Sequence, residues 1–194
     1  MEPQFLHIGM LCASTTALGP GRRFVIWLQG CKRRCYGCAS PEFQPLDGGT
    51  RISVDQLLDK IVESTDIDGL TVSGGEPMLQ KEALSSLLHK VREMRPDLSV
   101  ILFTGYLLED FQSDVSKDVL DCIDLLIDGE YYHEQNDDMG LRGSANQRLH
   151  FLTSRLTSHK EELETGKRKY DMHLHGDNEI WTIGIAPSRG GFNG

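Results

Sequence analysis

The stretch Leu28–Phe43, LQGCKRRCYGCASPEF, sets cysteines at 31, 35 and 38 and supplies no fourth nearby. Three thiols at C-x3-C-x2-C spacing suit a soft metal or a metal–sulfur cluster, because short loops let three sulfurs converge on one centre. Zinc modules and iron–sulfur ferredoxins close their sites with four protein ligands, so something else must complete this one. A structural zinc would take its fourth ligand from far away in sequence, from His7, His173 or His175. The alternative is a cubane 4Fe–4S cluster with three irons held by protein and one left open to an exogenous ligand.

Working outward, the residues before the cysteines, RFVIWLQG (23–30), form a β-rich apolar run ending in glycine, a strand that delivers the cysteine loop. After them, SVDQLLDKIVES (53–64) opens with Ser53 and Gln56 at capping-box spacing and puts Val54, Leu57, Leu58, Ile61 and Val62 on one helical face. GLTVSGGEP (69–77) is a short strand broken by a Gly-Gly turn. KEALSSLLHKVREMRP (81–96) is a helix with Leu84, Leu87, Leu88 and Val91 inward, stopped at Pro96. LSVILFTGY (98–106) reads as a buried strand, SKDVLDC (116–122) as a short helix and IDLLIDGEY (123–131) as another strand. Alternating strands and helices with short connections imply an α/β fold with a parallel sheet and right-handed crossovers. Ligands gather beyond the carboxyl ends of such strands, so QGCKRRC, SGGEP, TGY and DGEY should face one shared site.

Past residue 150 the pattern changes. A polar insertion over about 154–170 is a surface helix or a mobile segment, and 170–187 reads as a C-terminal hairpin around Gly176-Asp177-Asn178 with Trp181, Ile183 and Ile185 on one face. The tail PSRGGFNG (187–194) is too glycine-rich for a structural expectation. We read 1–194 as a single domain with its core at about 19–150.

Composition bounds the function. With 194 residues and 39% hydrophobic content the chain can bury one sizeable core. Its net charge of −9, with signs interspersed, disfavours a broad nucleic-acid surface. Basic residues do cluster at Arg22, Arg23, Lys32, Arg33 and Arg34, as a solvated loop or as positive potential beside an anionic cofactor. No apolar run approaches the roughly 20 residues needed to cross a bilayer, and the N-terminus lacks the pattern of a signal peptide; the expectation is a cytoplasmic protein with no membrane partner. Cys12 and Cys122 stand apart and read as small buried hydrophobes.

The cysteine triplet after a strand, with Gly74-Gly75-Glu76-Pro77 following the next helix and strand, resembles the radical S-adenosylmethionine (SAM) superfamily. Within it the chain is most similar to the glycyl-radical-enzyme activases that serve anaerobic ribonucleotide reductases. GPGRRFVIWLQGC (19–31), CYGC (35–38), TVSGGEPMLQ (71–80), FTGYLLEDF (103–111), LLIDGEYYHE (125–134) and LRGSANQR (141–148) carry the likeness. Leu18 stands where many activases have an acidic residue, and Gly37 where many have an aromatic. The resemblance implies a partial (β/α)6 barrel open on one side, with a 4Fe–4S cluster on Cys31, Cys35 and Cys38. SAM would chelate the open iron, which accounts for the missing fourth ligand. An external one-electron donor such as a flavodoxin or ferredoxin would reduce the cluster, SAM would be cleaved to a 5′-deoxyadenosyl radical, and that radical would take a hydrogen atom from a glycine of the partner enzyme. The alternatives are a radical SAM enzyme acting on a different peptide or small molecule, for which the unmatched 154–178 speaks, and a non-enzymatic Cys/His metal-binding module.

By the same resemblance Gly74, Gly75 and Glu76 hold the methionine end of SAM, and absent side chains at the glycines let backbone polar groups approach it. Thr104 and Asp128 end consecutive strands, near the ribose or a cation, or else act as a helix cap and a turn residue. Asn146, Gln147 and Arg148 sit near the cofactor or in a solvated loop. Tyr36 packs over the cluster loop and excludes solvent. His173 and His175 share a strand face, an exposed edge pair without a third ligand in view.

Overall fold

The computed structural model describes residues 3–175 and 179–188. Its centre is a seven-stranded sheet of β1 (Phe5–Thr15), β2 (Arg23–Leu28), β3 (Thr50–Ser53), β4 (Gly69–Gly74), β5 (Ser99–Phe103), β6 (Leu125–Asp128) and β7 (Arg148–Phe151), in the order β3-β1-β2-β4-β5-β6-β7. Neighbours β2, β4, β5 and β6 run parallel, whereas β1 pairs antiparallel with β2 and β3, and β7 antiparallel with β6. The sheet is therefore mixed, not wholly parallel as its alternating pattern suggested. The difference lies at its margins, where the segments joining β1 to β2 (16–22) and β6 to β7 (129–147) hold no α-helix to make a parallel crossover. β1 itself carries a bulged register against β2 and no clean alternation of burial, so periodicity did not announce it.

The helices obey their local signals. α1 (Val54–Glu63) starts at Ser53, whose hydroxyl accepts from Gln56 N while the Gln56 side chain accepts from Ser53 N, a complete capping box. α2 (Lys81–Met94) ends two residues before Pro96, and α3 (Asp114–Asp121) is capped by Ser113. All three cover one face of the sheet. Phe24, Ile26 and Leu28 of β2, Leu70 and Val72 of β4, Val100 and Leu102 of β5 and Leu126 of β6 pack there against Leu57, Ile61, Leu84, Leu88 and Val119. The alternate residues Val25, Trp27, Ile101, Leu125 and Ile127 point to the other face. That face is covered by later segments, through Leu141, Leu156, Leu163, Ile183 and Ile185.

The segment expected as a polar insertion forms a short helix, α4 (Lys160–Thr165), anchored by buried Leu156 and Leu163. β8 (Asp171–His175) and β9 (Glu179–Ile183) make the antiparallel hairpin; the turn at 176–178, and the tail from 189, lie outside the described residues. The Asp171 carboxylate ties this hairpin to the end of β1, accepting from Thr15 Oγ1 at 2.5 Å and Thr16 N at 2.6 Å. Arg23 anchors the opposite end of the parallel strands. Fully buried, it donates to Thr71 Oγ1, to Ser99 Oγ and to the carbonyls of Pro20, Leu70 and Ser99. Among the described residues no helix is long and apolar enough to cross a membrane.

Candidate active site

Because β2, β4, β5 and β6 are parallel, the segments that leave them emerge at one end of the sheet. The cysteine loop follows β2, Gly74-Gly75-Glu76 closes β4, Thr104-Gly105 follows β5 and Gly129-Glu130 follows β6. They surround a cleft that is partly open to solvent. Cys31, Cys35 and Cys38 all line it, each part-exposed and none in a disulfide.

Backbone bonds fix the loop to its neighbours. Gly30 N donates to Phe43 O and Cys31 N to Gln44 O, closing the loop on its own exit, while Glu76 N donates to Gly30 O at 2.8 Å and Gly75 N to Leu28 O at 2.7 Å. The turn after β4 thus sits directly against the cysteine loop. Gly75 permits that approach: a Cβ there would stand 2.3 Å from Gly30 O and 2.6 Å from Phe43 O.

Glu76 is a buried carboxylate with three donors aimed at it. Its Oε1 accepts from Met78 N at 3.0 Å and Thr104 Oγ1 at 2.8 Å, and its Oε2 from Gly105 N at 2.8 Å. Burial pushes its pKa up, against the lowering effect of those donors and of Arg33. Thr104 therefore braces Glu76. The Cys35 thiol lies 3.6 Å from Glu130 Oε1, and burial together with that carboxylate pushes it up to about 11 in the metal-free chain.

The donor set suits an iron–sulfur cluster with one open position. Three free thiols face one cleft, while His7 and His173 do not line it; the His173 ring is turned to Cys12, 4.0 Å from its sulfur. Among the described residues no three His, Cys, Asp or Glu side chains stand preformed around a metal ion. The three thiols are themselves not preformed around one point; what fits the cluster is their soft-sulfur chemistry and the cleft they share, which His7 and His173 do not line.

Of the other residues singled out by sequence, Gly74, Gly75, Glu76, Thr104 and Gln147 line the cleft together with the cysteines, and Asp128, Asn146, Arg148 and Tyr36 do not. Asp128 is wholly buried beneath the strand end, bonded to Arg148 Nε at 3.0 Å, Arg148 Nη2 at 2.5 Å and Leu108 N at 2.7 Å, with His150 Nε2 3.0 Å away. Arg148 also reaches Glu109. Asn146 donates to the Glu130 carbonyl at 2.7 Å, steadying the segment after β6. Tyr36 is 78% exposed and meets the His133 ring edge-on.

Gly105, Gly129 and Tyr131 line the cleft, as expected of the TGY and DGEY segments, although sequence reading did not name them as site residues, nor assign Arg33 an inward position. Glycines directly after predicted strands were a usable signal for the first two. The basic run 32–34 offered none for Arg33, because nothing in the spacing says which of three adjacent cations turns in.

Comparison with known proteins matches this geometry. A family model described as a 4Fe-4S single cluster domain matches residues 17–150. The anaerobic ribonucleoside-triphosphate reductase-activating protein of Vibrio cholerae is 36% identical over 143 residues, 70% of this chain and 91% of the relative. That of Haemophilus influenzae is 33% identical over 139 residues, 68% of this chain and 89% of the relative. The pyruvate formate-lyase-activating enzyme of Listeria monocytogenes is 38% identical over 74 residues, 36% of this chain and 30% of the relative. A three-thiol cleft at the ends of parallel strands, a cluster-domain match over most of the chain and these relatives agree: the chain belongs to the 4Fe-4S single cluster family, among the radical SAM activases of glycyl radical enzymes.

Proposed function

We propose that this chain installs a glycyl radical on an anaerobic ribonucleoside-triphosphate reductase, receiving its electron from a flavodoxin- or ferredoxin-type donor in the cytoplasm. It is a radical SAM activating enzyme whose cofactors are a 4Fe–4S cluster and SAM. Bound together, these supply one-electron cleavage of a sulfonium and, through it, hydrogen-atom abstraction from the partner's glycine. The chain's residues hold, orient and shield that chemistry. Cys31, Cys35 and Cys38 would ligate three irons and leave the fourth for SAM. Gly74, Gly75 and Glu76 would shape the methionine end of the SAM site, with Thr104 fixing the Glu76 carboxylate; Asp128, Arg148 and Asn146 would act at one remove, holding the β6 end. Tyr36 would shield the cysteine loop when a partner covers it.

The carrying observation is that four parallel strand ends bring the three thiols and the GGEP turn into one cleft. We take the sheet as a partial (β/α) barrel of the radical SAM type within a single domain. The sequential order of β2, β4, β5 and β6 and the placing of α1, α2 and α3 on one face support this.

The test is anaerobic reconstitution with iron and sulfide, dithionite reduction and low-temperature electron paramagnetic resonance with and without SAM. A cluster signal altered by SAM is the expected result, followed by a glycyl-radical signal only when the reductase is added. A chain that binds zinc, builds no cluster and ignores SAM refutes the proposal.

A further inference from the structure

Arg33 is the one cationic side chain lining the cleft among the described residues. Lys32 and Arg34, its neighbours, are exposed, and Arg34 adopts a left-handed φ of 53° that few non-glycine residues take. That turn sends Arg33 inward beneath the cysteine loop. Its guanidinium lies over the Tyr106 ring, 4.4 Å from the centroid, and its aliphatic stem crosses Gly105, where a Cβ would stand 2.4 Å from Arg33 Cδ. Nη1 lies 3.6 Å from Glu130 Oε2 and Nε 3.9 Å from Glu76 Oε2, contacts of charge, too long for hydrogen bonds. Nε is buried with no hydrogen-bond partner. One side chain from the cysteine loop thus engages segments that follow β4, β5 and β6.

The cleft is otherwise anionic. Glu76 lines it, Glu130 stands beside it against Arg33 and Cys35, and three cysteines would bind iron as thiolates. An added electron is opposed by this charge, and cluster potential follows local net charge. We propose that Arg33 is a positioning residue that clamps the cysteine loop over these strand ends and supplies the positive charge that raises the cluster's reduction potential. This rests on the reading of the cleft as a cluster and SAM site. Arg33 takes no part in the hydrogen-atom transfer.

The test compares the full-length wild type with Arg33→Gln, Arg33→Lys and Glu130→Gln, each reconstituted anaerobically with iron and sulfide. Iron and sulfide contents are measured, and the potential is read by redox titration followed by electron paramagnetic resonance, with neither SAM nor partner present. Arg33→Gln should lower the equilibrium constant for reduction about tenfold, a shift of about 59 mV to more negative potential for one electron. Arg33→Lys keeps the charge and should stay near wild type in potential while retaining less iron, since the planar stack on Tyr106 is lost. Glu130→Gln should move the potential the opposite way. If Arg33→Gln takes up no iron, Glu130→Gln decides: a shift to more positive potential supports the charge role, and no shift overturns it. A wild-type cluster whose potential is indifferent to both charges overturns the role of Arg33 alone. A wild-type chain that builds no cluster overturns the reading of the cleft, and this role with it.

Discussion

Replacing Gly75 by Ala tests how tightly the turn after β4 is locked to the cysteine loop. The new methyl would stand 2.3 Å from Gly30 O and 2.6 Å from Phe43 O, and both obstacles are backbone. A carbon and a carbonyl oxygen need roughly 3.3 Å, so one segment must retreat by about 1 Å. The bonds Glu76 N to Gly30 O and Gly30 N to Phe43 O, both 2.8 Å, cannot survive that retreat unchanged. Two bonds at about 1 kcal/mol each and about 1–3 kcal/mol of overpacking are opposed by about 0.4–1 kcal/mol from a stiffer unfolded chain. The net expectation is a loss of about 2–5 kcal/mol. Urea unfolding of the metal-free protein followed by circular dichroism measures it, and iron bound per chain after anaerobic reconstitution reports the displaced loop. A variant within about 0.5 kcal/mol of wild type that takes up full iron would show that the two segments are not rigidly coupled.

Three further predictions concern separate parts of the molecule. Cys31→Ala, Cys35→Ala and Cys38→Ala should each abolish cluster assembly, and full iron content with SAM-cleaving activity in any of them would remove that cysteine from the ligand set. Burial alone would raise the Asp128 carboxyl, but the Arg148 and Leu108 hydrogen bonds and the charges of His150 and Arg148 hold it below its ordinary value. Its contribution is therefore complete above a pH of about 4 and is lost as pH falls through the lower native value; Asp128→Asn should cost about 3 kcal/mol at pH 7 and flatten the acid limb of a stability–pH curve, and an unchanged limb would contradict the assignment. Asp171→Ala removes the acceptor for Thr15 and Thr16 and should speed proteolytic cleavage in β8 and β9 while the rest of the chain stays resistant; equal cleavage rates would mean that Ile183 and Ile185 alone hold the hairpin.

What the sequence disclosed depended on the range of the interactions involved. The four parallel strands and α1 to α3 each carry their own signal, such as the Ser53–Gln56 capping box or Pro96 two residues past α2. The shared direction of those strands then brought the cysteines, Gly75, Glu76 and Thr104 to one cleft. β1 escaped notice because its register is bulged, and β7 because an antiparallel return of four residues looks like any short apolar run. Side-chain direction was beyond local reading. Asp128 ends a strand as expected, but whether its carboxylate faces a ligand or an interior arginine depends on Arg148, 20 residues later. The basic cluster dissolved for the same reason, into buried Arg23, cleft-lining Arg33 and exposed Arg22, Lys32 and Arg34.

The face of the sheet carrying Val25, Trp27, Ile101, Leu125 and Ile127 has a consequence for biosynthesis. Its strands are complete once residue 128 has been made, and Ala17, Leu18 and Phe43 are then already present, yet Leu141, Leu156, Leu163, Ile183 and Ile185 are still to come. At about 5–20 residues per second, a nascent chain would carry this apolar surface only partly covered for roughly 3–11 s, long enough to be bound by a holdase or to stick to a neighbouring chain. Codon changes or truncations that delay or remove the last fifty residues should therefore lower the yield of intact protein before they touch its chemistry.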